Sequence, residues 1–320
     1  MPTPRRHVLM TSVRDEGPYI LEFVAHHRVL GFDAIHFASN DCRDGTDTLL
    51  DALANAGAIT HLRNVIPPNQ RPQRRAWRLL RERWQVDQAD WVMVLDVDEF
   101  LFVNHGAGLV GDLTALAGPE IDVIALNALS FGTSADWHWR PGRVTRQFTR
   151  HVPARLRFNG PVKSLSRGAR WGGLQNHHPV DYLGDAPVIT AMRGNGEVMT
   201  LPVDAELWRH LRHFPPERIS HQWAWYNHYP VKSRQSYLFR QERGNGAVAV
   251  GDPPKDRWNE EYWQKYAHGK VTDHRINERY GDAVGTEMAR LRDLPGVADA
   301  EAAARRSYSA LLERFVASGS

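Results

Sequence analysis

The chain has 320 residues, enough for one large α/β domain with or without a helical appendage. Hydrophobic residues make up 42% and charged residues 24%, which is ordinary for a soluble globular protein. The formal net charge of +3, from 40 basic and 37 acidic residues, is too small to predict nucleic-acid binding. It allows a local basic patch for phosphates or weak contact with an anionic membrane surface.

Cysteine content and hydropathy bear on the compartment. Cys42 is the one cysteine, so no intramolecular disulfide forms and cysteine usage gives no sign of secretion. The sequence contains no run of about 18 apolar residues, and residues 1–6 are not followed by the apolar segment of a signal peptide. We therefore expect a cytoplasmic protein without a transmembrane segment; peripheral contact with the inner face of the membrane is the alternative.

Strand-like and helix-like segments alternate along the first 130 residues. The apolar patterns predict helices at 19–30, 47–55 and 71–85, and strands at 7–13, 32–39, 58–65, 91–95 and 121–129. Gly31 and Gly57 follow two of these helices, where a left-handed C-terminal residue favours glycine. This order predicts right-handed βαβ units and hence an α/β fold, in which helices flank a mostly parallel central sheet.

The second half of the sequence is less periodic. Residues 130–230 are rich in Gly, Pro, Trp and His and contain short strand-like pieces at 162–166 and 198–202. Beyond them we predict a mobile loop at 244–254 and helices at 233–243, 256–268, 273–280 and 300–317. The fold therefore continues as an irregular extension of the sheet and ends in a helical C-terminal part.

Polar clusters follow three of the predicted strands. Arg14 and Glu16 follow the first strand, Asn40 and Asp41 follow the second, and the acidic segment 96–99 follows the fourth. Ligands of open α/β sheets bind outside the carboxyl ends of the strands. We therefore expect these clusters to converge on one binding site.

Asp96 and Asp98 are the strongest metal-ligand candidates. Two carboxylates that are two residues apart on an extended chain point to the same side, where they can share one cation. Mg²⁺ and Mn²⁺ prefer oxygen ligands, and few carboxylates suffice when substrate phosphates complete the coordination. The alternative is a solvated acidic turn, but the apolar strand at 91–95 that precedes the pair favours a functional site.

The same segments carry a resemblance to a known family. Residues 13–33, 39–47 and 94–101 resemble the GT-A-fold glycosyltransferases, in particular the family-2-like branch related to glycosyltransferase family 92. Residues 131–134 and 227–233 are also similar to patterns of this branch. The chain departs from the branch at Asp15, where Asn is usual, and at Arg43, where Ser or Thr is usual.

The resemblance implies a metal-dependent hexosyltransferase with a GT-A fold. A nucleoside-diphosphate sugar, most often a UDP-sugar, would donate the hexose to a hydroxyl of a glycan, a lipid-linked glycan or a protein, with inversion and with Mn²⁺ or Mg²⁺. It implies a catalytic domain over residues 1–243 and a helical extension over 244–320. The nucleotide would bind the half at 1–103, and the acceptor would bind the half at 104–243.

By the same resemblance, the donor would bind Arg14, Glu16, Asn40 and Asp41. The metal would bind Asp98 directly, and Asp96 would assist by binding either the metal or the ribose. Asn40 and Asp41 have the hydrogen-bonding groups that a base and a ribose need. Without the resemblance, a turn that caps the next helix explains these two residues equally well.

Basic and histidine residues of the second half are further candidates for the donor site. Lys232 can stabilise a leaving diphosphate as a point charge, and Lys163 is a weaker candidate of the same kind. His228 can bind the metal or a phosphate. The alternative for 228–233 is a helix entrance, with Ser233 as the cap. His178 is a candidate third metal ligand, although a lone histidine is more often structural.

An inverting transferase needs a general base for the acceptor hydroxyl. Asp181 and Asp136 lie in the irregular region and are our candidates. Glu99 is a third option, but on an extended chain its side chain should point away from Asp98.

Other readings stay open. A sugar nucleotidyltransferase needs a glycine-rich phosphate loop after the first strand, and residues 14–18 contain no such loop. A non-catalytic carbohydrate- or nucleotide-binding protein on the same fold would not need both aspartates. The simplest explanation of the arginine-rich helix at 71–85 is that its arginines form a solvent-exposed face. Arg71 and Arg74 are the two that would approach the donor.

Overall fold

Strands and helices alternate through the first half of the chain as predicted. A computed structural model describes residues 6–133, 137–244, 246–253 and 259–318. Its first seven elements are β1 (His7–Val13), α1 (Gly17–Val29), β2 (Ala34–Ser39), α2 (Thr46–Asn55), β3 (Thr60–Arg63), α3 (Pro72–Trp84) and β4 (Trp91–Val94). Pro18 lies in the first turn of α1, where a missing N–H costs nothing, and Gly31 has a positive φ of 87° just after that helix.

The second half adds short strands and a helical end. The elements are β5 (Glu99–Val103), α4 (Val110–Ala115), β6 (Val123–Ser130), α5 (Val144–Gln147), β7 (Arg150–His151), β8 (Val162–Ser166), β9 (Trp171–Leu174), β10 (Pro179–Tyr182), β11 (Val188–Arg193), β12 (Val198–Pro202), α6 (Leu207–His210), β13 (Ala224–His228), α7 (Arg234–Arg243), α8 (Glu260–Ala267), β14 (Val271–Thr272), α9 (Arg275–Arg292) and α10 (Val297–Ser318). α9 is longer than predicted, and residues 256–258 of the helix predicted at 256–268 lie outside the described residues.

The central sheet confirms the α/β class. Its strand order is β12-β11-β6-β8-β4-β1-β2-β3. Pairs β1–β2, β1–β4 and β2–β3 are parallel, whereas β8 lies antiparallel between β4 and β6. The sheet is therefore mostly parallel on the side of β1, as the βαβ rhythm predicts, and mixed on the side that carries the second half of the chain.

β5 is the element that changes the geometry of the acidic segment. Residues 97 and 98 form a turn, and Glu99 begins a new strand that pairs antiparallel with β13, where Glu99 lies opposite His228. The expectation of an extended chain at 96–99 is wrong because the backbone turns there. Glu99 consequently lies beside Asp98 and does not point away from it.

The helical end packs against the elements that bear the site. Phe23 of α1, Tyr280 of α9 and Leu312 of α10 belong to one apolar core. The ring of Tyr308 in α10 meets the rings of Tyr19 and Phe239 edge-on, at centroid distances of 5.9 and 5.5 Å. Burial of such aromatic contacts contributes to stability in proportion to the apolar area removed from water. α10 therefore packs against both α1 and α7 and stabilises their positions.

Candidate active site

A cleft of about 1360 Å³ opens at the carboxyl ends of β1, β2 and β4. Seven polar residues that follow these strands line it: Arg14, Glu16, Asn40, Asp41, Asp96, Asp98 and Glu99. Arg71 and Arg74 at the start of α3 line it as well, as do described residues of the loop at 246–253. Val250 of this loop exchanges two backbone hydrogen bonds of 3.0 Å with Asn69 and Gln70, so the loop is attached to the segment before α3.

Asp98 lies at the centre of the cleft with one oxygen paired and the other unpaired. Its Oδ2 accepts a hydrogen bond of 2.6 Å from Arg240. Its Oδ1 is buried and has no hydrogen-bond partner among the described residues. Burial alone would raise the pKa of Asp98, but Arg240 and Lys232 lower it below its usual value. Asp98 is therefore an ionised carboxylate with one free, buried oxygen.

Glu99 and His228 complete a group of three potential metal ligands around Asp98. One ligand atom from each residue lies within 4.8 Å of the other two. Burial lowers the pKa of His228 to about 4, so its imidazole is neutral at pH 7. Burial raises the pKa of Glu99 to about 8, with Asp96 and Asp98 adding to the rise and Lys163 opposing it. The carboxylate of Asp98, the carboxyl group of Glu99 once it has lost its proton, and the neutral imidazole of His228 fit a small divalent cation.

This group differs from the one predicted from the sequence. Asp96 lines the cleft but does not belong to the three-residue group around Asp98. His178 also lines the cleft, and its Nδ1 donates a 3.0 Å hydrogen bond to the carbonyl of Pro179. The pairing of β5 with β13 brings Glu99 and His228 together, across a separation of more than a hundred residues.

Lys163 lies beneath the acidic segment and is fully buried. Its Nζ lies 3.1 Å from Asp96 and 2.6 Å from Glu99, and it donates a 2.5 Å hydrogen bond to Asn176. Burial would lower its pKa, but Asp96 and Glu99 raise it above the usual value, so the ammonium stays charged. Lys163 is not among the residues that line the cleft. The ammonium of Lys163 therefore holds Asp96 and Glu99 in position from the protein interior.

Lys232 occupies a similar position behind Glu16. Its Nζ is 3.5 Å from Glu16 and 4.5 Å from the centroid of the Tyr19 ring, and the residue is 5% exposed. The cations that line the cleft beside Glu16 and Asp98 are instead Arg243, which is 2.7 Å from Glu16, and Arg240. Sequence reasoning missed both arginines. The available signal was their spacing of three residues on α7, which places them on one helix face.

Asp15 and Arg43, at which the sequence departs from the pattern of the family it resembles, contact each other. Arg43 donates through its backbone N–H and its Nε to Asp15, at 2.6 and 3.0 Å. The guanidinium of Arg43 also reaches both oxygens of Glu242 at 2.8 Å, which ties the loop after β2 to α7. Asp15 has a left-handed backbone, with φ of 48°, and a fully buried side chain. Asp15 and Arg43 thus form one ion pair.

Neither candidate general base is a described residue of the cleft. Asp181 is exposed on the two-stranded ribbon of β9 and β10, with a positive φ of 57°, and does not line the cleft. Asp136 lies outside the described residues. Both assignments remain predictions.

An α/β sheet with carboxylates, arginines and an imidazole at its carboxyl edge is typical of the substrate site of an enzyme. The model of glycosyltransferase family 92 matches residues 13–241, a span that includes Asp98, Glu99, His228 and Arg240. The chain therefore belongs to glycosyltransferase family 92 and is a glycosyltransferase, as the sequence resemblance implied. No curated protein matches the chain.

Membership in this family implies a sugar donor and an acceptor. Within the part of the chain that the structure describes, no helix is both long enough and apolar enough to cross a membrane.

Proposed function

We propose that the enzyme has a GT-A fold and transfers a hexose from a nucleoside-diphosphate sugar to an acceptor hydroxyl, with inversion and with Mn²⁺ or Mg²⁺ as cofactor. UDP-sugars are the proposed donors. The buried, unpartnered Oδ1 of Asp98 carries this proposal, because an ionised carboxylate oxygen with no partner is costly unless a cation binds it.

The residues around Asp98 support a metal. Asp98, Glu99 and His228 would hold it, since their ligand atoms lie within 4.8 Å of one another. When bound, a divalent cation neutralises the charge that develops on a departing diphosphate. Glu99 must lose its proton to become a ligand, and its pKa is raised to about 8. Metal affinity should therefore increase as the pH rises towards 8.

The arginines of α7 support an anionic donor. Arg240 and Arg243 line the cleft next to Asp98 and Glu16, and each is held by a carboxylate. Prepositioned guanidinium groups stabilise phosphate oxygens without reorganisation during the reaction. Arg14, Asn40 and Asp41 line the same cleft and supply hydrogen-bonding groups for a base and a ribose. The acceptor would then attack from the side of the cleft that faces away from the diphosphate.

Titration calorimetry of UDP with and without Mn²⁺ tests the proposal. We expect Mn²⁺-dependent binding by the wild type and at least a tenfold loss in Asp98→Asn, about 1.4 kcal/mol. Asp181→Asn is the matched control, because Asp181 is an exposed aspartate outside the cleft. Thermal unfolding of each variant establishes that it is folded. UDP binding that is equal with and without metal, or that survives in Asp98→Asn, would contradict the proposal.

A further inference from the structure

One wall of the cleft lies beyond Asp96 and has a composition of its own. We name it the histidine–arginine rim; it consists of Asn176, His177, His178, Arg212 and His213, all of which line the cleft. Asn176 donates a 3.2 Å hydrogen bond to Asp96, so the rim adjoins the acidic segment. An acceptor bound on this rim would be next to the place where the sugar is transferred.

The backbone under the rim is fixed by β8. Ser164 donates a 2.9 Å hydrogen bond to the carbonyl of His177, and the ring of His177 bonds the carbonyl of Val162 through Nδ1, also at 2.9 Å. A carbonyl only accepts, so Nδ1 of His177 carries the hydrogen, and the same holds for His178 and Pro179. The Nε2 atoms of these two neutral rings are therefore acceptors for sugar hydroxyl groups.

The charge of the rim comes from Arg212. This residue is exposed, and no carboxylate of the described residues lies within 4.0 Å of its guanidinium. Burial and Lys163 lower the pKa of His177 to about 3, with a smaller contribution from Arg212. Burial also lowers the pKa values of His178 and His213, and Arg212 adds to both. The rim thus combines neutral imidazoles with one guanidinium that is available to a ligand.

An aromatic face adjoins Arg212. Trp208 is not among the residues that line the cleft but lies next to one that does: it is 38% exposed, and the guanidinium carbon of Arg212 is 5.7 Å from its ring centroid. The ring of His178 is 6.4 Å from the same ring. Apolar faces of sugars pack on such rings, and the residues beside them supply the polar contacts. Arg209 stacks on Trp208 at 5.3 Å, but it pairs with Glu206 and does not line the cleft.

We propose that the rim is an acceptor subsite that selects a glycan with an anionic group, a uronic-acid carboxylate or a phosphate, next to the hydroxyl that receives the sugar. This rests on the proposed function, because it takes the cleft to be a transferase site. Arg212 would bind the anion with two parallel hydrogen bonds, a geometry that guanidinium groups favour for both carboxylates and phosphates. Trp208 and the two imidazoles would bind the ring and its hydroxyl groups.

Calorimetry with defined sugars tests the subsite. The ligands are trigalacturonate, its carboxyl-reduced neutral counterpart and glucose 1-phosphate, and the proteins are the wild type, Arg212→Gln and Arg209→Gln. We expect the wild type to bind an anionic ligand about fivefold more tightly than the neutral one, a modest effect because Arg212 is exposed. Arg212→Gln should lose this preference, and Arg209→Gln should keep it.

The outcomes separate the claims. A preference confined to trigalacturonate assigns a carboxylate, and one confined to glucose 1-phosphate assigns a phosphate. Equal or absent binding of charged and neutral ligands, or an equal loss in both variants, overturns the subsite. The same samples are titrated with UDP and Mn²⁺. UDP binding without a charge preference refutes the subsite alone, whereas an Arg212-dependent preference without UDP binding refutes the donor assignment alone.

Discussion

The two sides of the cleft differ in how their charges are balanced. On the side of α7, Asp98 pairs with Arg240, and Glu16 pairs with Arg243 and Lys232. On the histidine–arginine rim, Arg212 has no carboxylate partner among the described residues. Paired charges hold each other in place before any ligand arrives, whereas a single solvated charge is free to bind an anion. We infer that the first side is built for a fixed donor geometry and the second for recognition of an acceptor.

The largest effect should come from Lys163, which anchors the paired side from below. Lys163→Met removes the partner of Asp96 and Glu99 while keeping a long side chain. Breaking a buried ion pair costs about 3 to 5 kcal/mol of unfolding free energy. Lys270→Met is the control, since Lys270 is exposed. Urea unfolding measures both variants. A loss from Lys163→Met no greater than that of the control would show that this cation does not anchor the site.

A smaller effect should come from the pair that departs from the family pattern. Arg43→Ser removes the 2.9 Å ion pair of the buried Asp15 and leaves Arg14, at 3.9 Å, as its ion-pair partner among the described residues, which should cost about 1 to 2 kcal/mol. The double variant Asp15→Asn/Arg43→Ser should cost less than the sum of the single variants, because neither charge is then left alone.

A double-mutant cycle by urea unfolding measures this coupling. Arg63→Ser is the control, because Arg63 pairs with Asp47 and Asp51 on the surface, where ion pairs contribute little. Strict additivity of the Asp15 and Arg43 changes would mean that the two substitutions do not compensate each other.

The smallest effect should come from His177, whose imidazole is neutral in the histidine–arginine rim. The pKa of His177 is lowered to about 3 in the folded protein, against about 6.5 in an unfolded chain. The unfolded chain therefore binds more protons between these values, so stability falls as the pH falls from 6.5 towards 3. His177→Gln should reduce the loss of stability between pH 7 and pH 5 by on the order of 1 kcal/mol.

Unfolding of wild type and His177→Gln at both pH values checks this. His105→Gln serves as the control, because His105 lies outside the cleft. An identical pH dependence in the wild type and His177→Gln would mean that His177 titrates normally and that the rim becomes cationic in mild acid.

The sequence was sufficient for the first half of the fold because its strands and helices have strong local apolar patterns. The strands at 162–166 and 198–202 also match β8 and β12. Local patterns were insufficient at the acidic segment, where a turn after Leu95 starts a strand whose partner, β13, lies more than a hundred residues away. The contact between Glu99 and His228 depends on that long-range pairing.

Burial explains the other differences. Lys163 and Lys232 were assigned to the donor, since a lysine in a sequence gives no indication of whether its ammonium faces ligand or carboxylate. In the structure both face buried carboxylates. Arg240 and Arg243 were missed because α7 has the pattern of an ordinary polar helix. Only the packing of α7 against the carboxyl ends of the strands brings Arg240 to Asp98 and Arg243 to Glu16.

The most direct test of the metal centre compares two histidines in UDP titrations with Mn²⁺. His228 belongs to the group around Asp98, whereas His178 lies on the rim and is the other histidine that the sequence offers as a metal ligand. We predict that His228→Gln loses Mn²⁺-dependent UDP binding by tenfold or more, about 1.4 kcal/mol, and that His178→Gln retains it. Retention in His228→Gln together with loss in His178→Gln would contradict the grouping of Asp98, Glu99 and His228, and with it the proposed metal centre.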